Sequence, residues 1–231
     1  MTPVAGIRDH QAPPLPLLLR EVASFALTRA KASFAPAVNT PVTGDGTDII
    51  VLPGFMASDV TTARLRRSLS AAGYRAFGWG LGRNFGVTAD IFQRLDAQLD
   101  ANRLDQPVTL IGWSLGGIIA REYAKYAPHR VRRVVTLGSP FSGDPRANNA
   151  WRLYELVAGH KVDAPPIKVM LEEKPPVPTI ALWSRRDGVV APQSARGTSV
   201  QSDRHIELEC THMAFVADPT AIRAICGAIV T

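Results

Sequence analysis

Val108-Thr109-Leu110-Ile111-Gly112-Trp113-Ser114-Leu115-Gly116-Gly117-Ile118-Ile119-Ala120-Arg121-Glu122-Tyr123-Ala124 is the stretch that decides the fold. Val108 to Ile111 is a short, mostly apolar run of the kind that forms a buried strand, and Ile118 to Ala124 carries a helical pattern. Between them lies G-x-S-x-G, so the reading is strand, sharp turn, helix, with Ser114 at the apex. The glycines have a steric reason. A tight turn holds the serine in a strained backbone conformation, and a side chain at 112 or 116 would collide with the neighbouring strand or helix. Gly117 extends the small-residue surface. The strain lifts the Ser114 hydroxyl clear of the backbone, where a base and a substrate can both reach it.

Two more chemistry-bearing residues fall at corresponding places further along. Pro178 to Trp183 reads as a buried strand, followed by Ser184-Arg185-Arg186-Asp187-Gly188-Val189-Val190, with Asp187 in the turn. Arg204 to Cys210 alternates as a strand does, and Thr211-His212 follows its end. Ser114, Asp187 and His212 therefore all sit just past strand C-termini, the edge where open parallel sheets gather their ligand sites. Each has a plain alternative: Asp-Gly pairs are common in turns, and His212 alone could be a surface histidine or open a helix. His205 begins its strand, at the wrong edge; His129 lies near a helix C-terminus, His160 in an inserted segment and His10 in the irregular N-terminus.

On these residues the chain resembles a bacterial serine esterase or lipase of the α/β-hydrolase superfamily, from about Asp48 to the C-terminus. That fold orders its nucleophile, acid and base as they occur here. The resemblance implies Ser114 as nucleophile on its elbow, Asp187 as acid and His212 as base. A further match is Leu52-Pro53-Gly54-Phe55-Met56, directly after the strand Asp48 to Val51. It implies that the backbone N–H of Phe55, with Met56 as the neighbouring candidate, joins the N–H of Leu115 in binding an oxyanion. Pro53 stands where a histidine is commoner, so the register is open by one residue. The implied chemistry is acyl transfer to Ser114 followed by hydrolysis of a small-molecule or lipid ester, with no metal or cofactor. Relatives that cleave halides or epoxides carry aspartate at the elbow; this chain carries serine. Acyl transfer to another acceptor, or thioester or amide cleavage, uses the same three residues. A non-catalytic binding protein on this fold is the other reading.

The 231 residues suffice for one sizeable core, and 46% apolar with 20% charged residues is ordinary for a globular chain. No run is long enough to span a bilayer. Leu15 to Leu19 is short and interrupted by Pro16, so a secretory signal is not evident and the reading leans to the cytoplasm. The net charge of +6 comes from scattered arginines without interleaved aromatics, which argues against nucleic-acid binding and for solvated faces. Mild attraction to anionic lipid is the minority reading. Cys210 and Cys226 form no C-x-x-C pair; a disulfide and two buried thiols are both open.

The expected organisation is an N-terminal helix and linker over 1–46 and a hydrolase domain over 47–231. Pro13 to Phe34 reads as an amphipathic helix with Leu15, Leu18, Leu19, Val22, Phe25 and Ala26 near one face. Such a helix packs on its own domain, with a membrane-surface or dimer contact as the minor alternative. Ala35 to Asp45 is a linker. Strands are expected at Asp48–Leu52, Tyr74–Trp79, Val108–Ile111, Val131–Leu137, Pro178–Trp183 and Arg204–Cys210. Helices are expected at about Ser58–Ala72 with Ser58 as N-cap, Thr88–Arg103 and Thr220–Val230. Regular alternation predicts a doubly wound, mostly parallel sheet of about six strands with flanking helices. The resemblance implies the order 2-1-3-4-5-6, without the fold's two leading antiparallel strands. Gly78 to Gly86 tempts a nucleotide reading, but its glycine spacing fails and no helix follows directly. A flexible loop at the rim of the site is expected instead. Residues 140–177 form a short cap insertion whose helix carries Trp151, Leu153, Tyr154, Leu156 and Val157. Trp113, Trp151, Tyr154 and Leu156 are the substrate-binding candidates; a plain connecting helix is the alternative reading of the insertion.

Overall fold

The computed structural model describes residues 11–21, 24 and 34–230. Six strands form one sheet: β1 (Asp48–Leu52), β2 (Arg75–Gly78), β3 (Val108–Trp113), β4 (Val131–Leu137), β5 (Thr179–Ser184) and β6 (Arg204–Leu208). All pairings are parallel, in the order β2-β1-β3-β4-β5-β6. The helices are α1 (Ala63–Ala71), α2 (Ile91–Ala101), α3 (Leu115–Tyr126), α4 (Trp151–Ala158), α5 (Pro192–Arg196) and α6 (Pro219–Ile229).

Strand periodicity splits the core into two layers. Ile49, Val51, Ile111, Val135, Leu137, Ile180 and Leu182 point to one face, where they meet Leu65 and Leu69 of α1 and Ile222 and Ile225 of α6. Ile50, Leu52, Val108, Leu110 and Val134 point to the other, against Ile91, Leu95 and Leu99 of α2 and Ile119 and Tyr123 of α3. β1, β3 and β5 are buried along their whole length because both faces are covered. The chain runs from β1 to β2 in one direction and from β2 to β3 in the other. Right-handed crossovers therefore send α1 and α2 to opposite faces. The crevice between β1 and β3, where the direction reverses, receives both the loop after β1 and the turn before α3.

Several expectations need correction at their edges. The first domain helix begins at Ala63 after Thr62, with no side-chain cap bond. Ser58 instead opens a turn, its carbonyl accepting from Thr61 N–H at 2.9 Å. Asp59 in that turn spends its carboxylate on the N–H groups of Trp79 and Gly80, at 3.0 Å each. β2 ends at Gly78 and β6 at Leu208, both shorter than expected. α6 starts at Pro219, one residue early, because Asp218 caps it by accepting from Thr220 and Ala221 N–H.

The N-terminal helix is described as helical at 15–21. Leu15 and Leu19 of its expected apolar stripe are exposed, while Val22, Phe25 and Ala26 lie outside the described residues. The segment nevertheless docks on the domain: Asn149 Nδ2 donates to Pro13 O at 3.0 Å, and Glu21 is buried. The linker after it is anchored by Val38, whose side chain joins the core and whose N–H donates to Ser68 Oγ at 2.9 Å. Cys210 and Cys226 are free, buried thiols, and burial pushes both up, Cys226 to about 11. Several arginines are structural rather than solvated. Arg64 donates to the carbonyls of Pro36 and Ala217. Arg121, 1% exposed and pulled down to about 10 by burial, lies over the Phe141 ring at 4.1 Å.

Candidate active site

The turn between β3 and α3 is as tight as its glycines imply. Ser114 has φ 55° and ψ −122°, a conformation that L side chains rarely adopt. A Cβ on Gly112 would come within 2.4 Å of the backbone of Gly116 and Gly117, and one on Gly116 within 2.4 Å of Leu52 O. The second contact is with β1, so Gly116 lets the elbow seat against the loop that follows that strand. The N–H of Ser114 continues the sheet by donating to Leu137 O at 2.8 Å.

Asp187 and His212 come together 25 residues apart in sequence: His212 Nδ1 lies 2.7 Å from Asp187 Oδ2. Both are buried, at 0% and 2% exposure. Asp187 Oδ1 is held by the N–H groups of Val189 and Val190, at 2.8 Å each. A carboxylate only accepts, so Nδ1 carries the proton and Nε2 of the neutral ring keeps its lone pair. Burial works against the charged form of His212, but the Asp187 charge, its hydrogen bond and the charge of Glu21 outweigh it, and the imidazole is held above its ordinary value.

Trp113 links this pair to the elbow. Its Nε1 donates to His212 O at 3.0 Å, and the two rings lie 5.5 Å apart between centroids. It is therefore a buried strut beneath the site. Among the described residues the Ser114 hydroxyl takes part in no hydrogen bond. For Ser114 to pass a proton to His212, the two side chains would have to come within hydrogen-bond reach, as catalytic pairs often do only with substrate bound.

A cavity of about 680 Å³ opens above Ser114 and is lined by Phe55, Leu115 and Ile118 from the domain and by Tyr154, Ile167 and Leu171 from the insertion. That is within the range of small-molecule sites, about 300–1,000 Å³. Leu115 is the first residue of α3, so its N–H has no carbonyl one turn earlier to bond. The N–H of Met56 is already given to Asn84 O at 2.6 Å, whereas Phe55 of the same loop lines the cavity and remains the candidate donor. Of the expected substrate-binding residues, only Tyr154 lines the cavity. Trp151 is engaged on the outside by the guanidinium groups of Arg146 and Arg152, and Leu156 is 80% exposed.

Two residues that sequence reasoning passed over shape the site. Asn84, 1% exposed in the glycine-rich stretch, clasps the loop after β1: Nδ2 donates to Pro53 O and its N–H to Ala57 O, both at 2.8 Å. The expected flexible loop is pinned. Its signal was an asparagine among glycines, which reads as an ordinary turn residue. Glu21 reaches the Asp187 and His212 loops from the N-terminal helix; nothing local marks it. The insertion is tied down as well. Lys125 Nζ bridges Glu122 Oε1 and Met170 O at 2.6 Å each, and Met170 N–H donates to Glu122 Oε2 at 3.3 Å. Among the described residues no cluster of His, Cys, Asp or Glu is arranged to hold a metal, and no helix is long and apolar enough to cross a membrane.

Known proteins agree with this geometry at the level of fold. A family profile described as alpha/beta hydrolase fold matches residues 49–163. Solved structures align over nearly the whole chain. Carboxylesterase CesB from Bacillus subtilis does so at TM-score 0.58 and 15% identity, covering 94% of this chain and 99% of that one. Naproxen esterase, also from Bacillus subtilis, does so at TM-score 0.58 and 13% identity, covering 95% and 100%. This chain has the α/β-hydrolase fold. A curated relative, the pimeloyl-[acyl-carrier protein] methyl ester esterase of Photobacterium profundum, is 33% identical over 115 residues. The match covers 47% of this chain and 42% of that protein, less than half the relative's length.

Proposed function

We propose that this chain is a carboxylic ester hydrolase that works through an acyl-enzyme on Ser114. The observation that carries the reading is the buried 2.7 Å contact between His212 Nδ1 and Asp187 Oδ2, at the sheet edge that also presents Ser114 to the cavity. A neutral imidazole so held has one free task, to take a proton through Nε2. Ser114 Oγ attacks the ester carbonyl as His212 removes its proton, and Asp187 stabilises the imidazolium that forms. The carbonyl oxygen becomes an oxyanion, which the N–H groups of Phe55 and Leu115 receive; one such donor contributes about 3 kcal/mol to the transition state. His212 returns the proton to the leaving alcohol. Water then repeats the sequence on the acyl-enzyme and regenerates Ser114. The cavity wall of Phe55, Ile118, Ile167 and Leu171 is apolar, which suits an aliphatic acyl group. The likeness to ester-cleaving proteins points the same way.

The test is Ser114→Ala, assayed on p-nitrophenyl esters and by fluorophosphonate labelling. Turnover should fall by about 10³-fold or more with labelling abolished, while Tm stays close to that of the native protein. A variant that keeps native turnover would remove Ser114 from the chemistry.

A further inference from the structure

One buried carboxylate has no part in the mechanism above. Glu21 closes the described helical turns 15–21 and is 2% exposed. Its Oε1 accepts from the N–H of His212 at 2.6 Å and of Gly188 at 2.9 Å, and its Oε2 from the N–H of Met213 at 3.1 Å. A single side chain thus closes on both loops that carry the acid and the base, from a segment more than 160 residues away in sequence. The docking is close. A Cβ on Gly188 would fall 2.3 Å from Leu17 O, so the glycine after Asp187 is what lets the helix reach the loop.

We infer that Glu21 is a positioning residue for the catalytic pair: by gathering the main-chain N–H groups of Gly188, His212 and Met213 it fixes the separation and aim of Asp187 and His212. This rests on the reading of His212 as the base. The N–H groups of Gly188 and His212 are buried and that of Met213 partly so, and such groups need acceptors wherever those loops lie. A neutral carbonyl could serve each, but a carboxylate makes stronger bonds and places a second negative charge beside the ring that becomes an imidazolium. The charged groups that act on that ring are Asp187 and Glu21, and both also act on the Cys210 thiol, which burial keeps neutral.

The experiment compares the native 231-residue chain with Glu21→Gln, a change that keeps the shape and removes the charge. kcat and KM on a p-nitrophenyl ester are measured across pH, with Tm alongside. kcat should fall about tenfold or more with KM within about twofold. The acidic limb of the profile should move to lower pH by about half a unit, because the imidazolium loses a neighbouring anion. A folded variant with native kcat and an unmoved limb overturns the inference. So does a loss of kcat with an unmoved limb, which support of the fold alone would produce. If the variant does not fold, amide hydrogen exchange on the native protein decides. The N–H groups of Gly188, His212 and Met213 should exchange roughly 100-fold or more slowly than exposed loop amides, and exchange at loop rates overturns the inference. Failure of the hydrolase reading looks different: the native protein itself would resist fluorophosphonate and leave esters intact.

Discussion

Burial by itself would drive the His212 imidazole toward its neutral form, and the neighbouring anions reverse that balance. The consequence for pH runs in opposite directions for stability and activity. The folded value lies above the unfolded one, so the protonated pair stabilises the fold fully below the ordinary histidine value of about 6.5. That contribution is lost as pH rises through the raised folded value. On the proposed mechanism the base is the neutral ring, so kcat/KM should climb with pH on a limb whose midpoint lies above about 6.5. A midpoint at or below about 6 would contradict the charge arrangement described. Two non-glycine residues at the site also hold left-handed backbone, Ser114 at φ 55° and Met56 at φ 59°. Such conformations cost on the order of 1–3 kcal/mol each. Ser114 is recognised in advance because G-x-S-x-G marks it. Met56 carries no mark; in the structure its N–H is given to the carbonyl of Asn84.

Two loops that look independent in sequence form one clasped unit. The loop after β1 offers Pro53 O and Ala57 O to Asn84, and Asn84 Oδ1 turns back to accept from Gly86 N–H at 3.2 Å. Asn84→Ala keeps the main-chain bonds but leaves the buried Pro53 carbonyl without its donor, a loss of about 1–3 kcal/mol. Because Phe55 sits inside the clasped loop, kcat should fall about tenfold while KM changes little. A variant with lowered Tm but native kcat would mean that the clasp supports the fold without aiming Phe55. Helix α4 shows a similar limit of sequence reading. Its apolar residues were visible, but Leu153 and Leu156 face outward at 50% and 80% exposure while Tyr154 faces inward. Tyr154 meets Phe55 edge-on at 5.3 Å between centroids, and its hydroxyl accepts from Val87 N–H at 3.4 Å. Helical spacing alone does not choose between those faces, since both are apolar.

At the scale of the whole molecule, the cavity exists only because separate segments meet over the sheet edge. Its floor is the elbow and the loop after β1, and its roof is the insertion, tied to α3 through Glu122 and Lys125. A chamber of about 680 Å³ accommodates a medium acyl chain. Tyr154→Ala should therefore raise KM several-fold more for octanoyl than for acetyl p-nitrophenyl ester, whereas Leu156→Ala should leave both close to native. Equal effects of Tyr154→Ala on the two esters would place the acyl chain elsewhere.

The sequence alone determined the alternation of strands and helices, the parallel doubly wound sheet, the elbow at Ser114 and the order of Asp187 and His212. These are written in short-range signals: apolar runs, periodicity, and glycines beside a serine. Only the tertiary structure decided that Glu21 reaches the catalytic loops, that Asn84 closes on the loop after β1, and which face of α4 turns inward. Hydrogen bonds between residues 31 and 191 positions apart leave no periodic trace in the chain. A buried carboxylate on a helix looks, residue by residue, like a solvated one until the fold brings its partners to it.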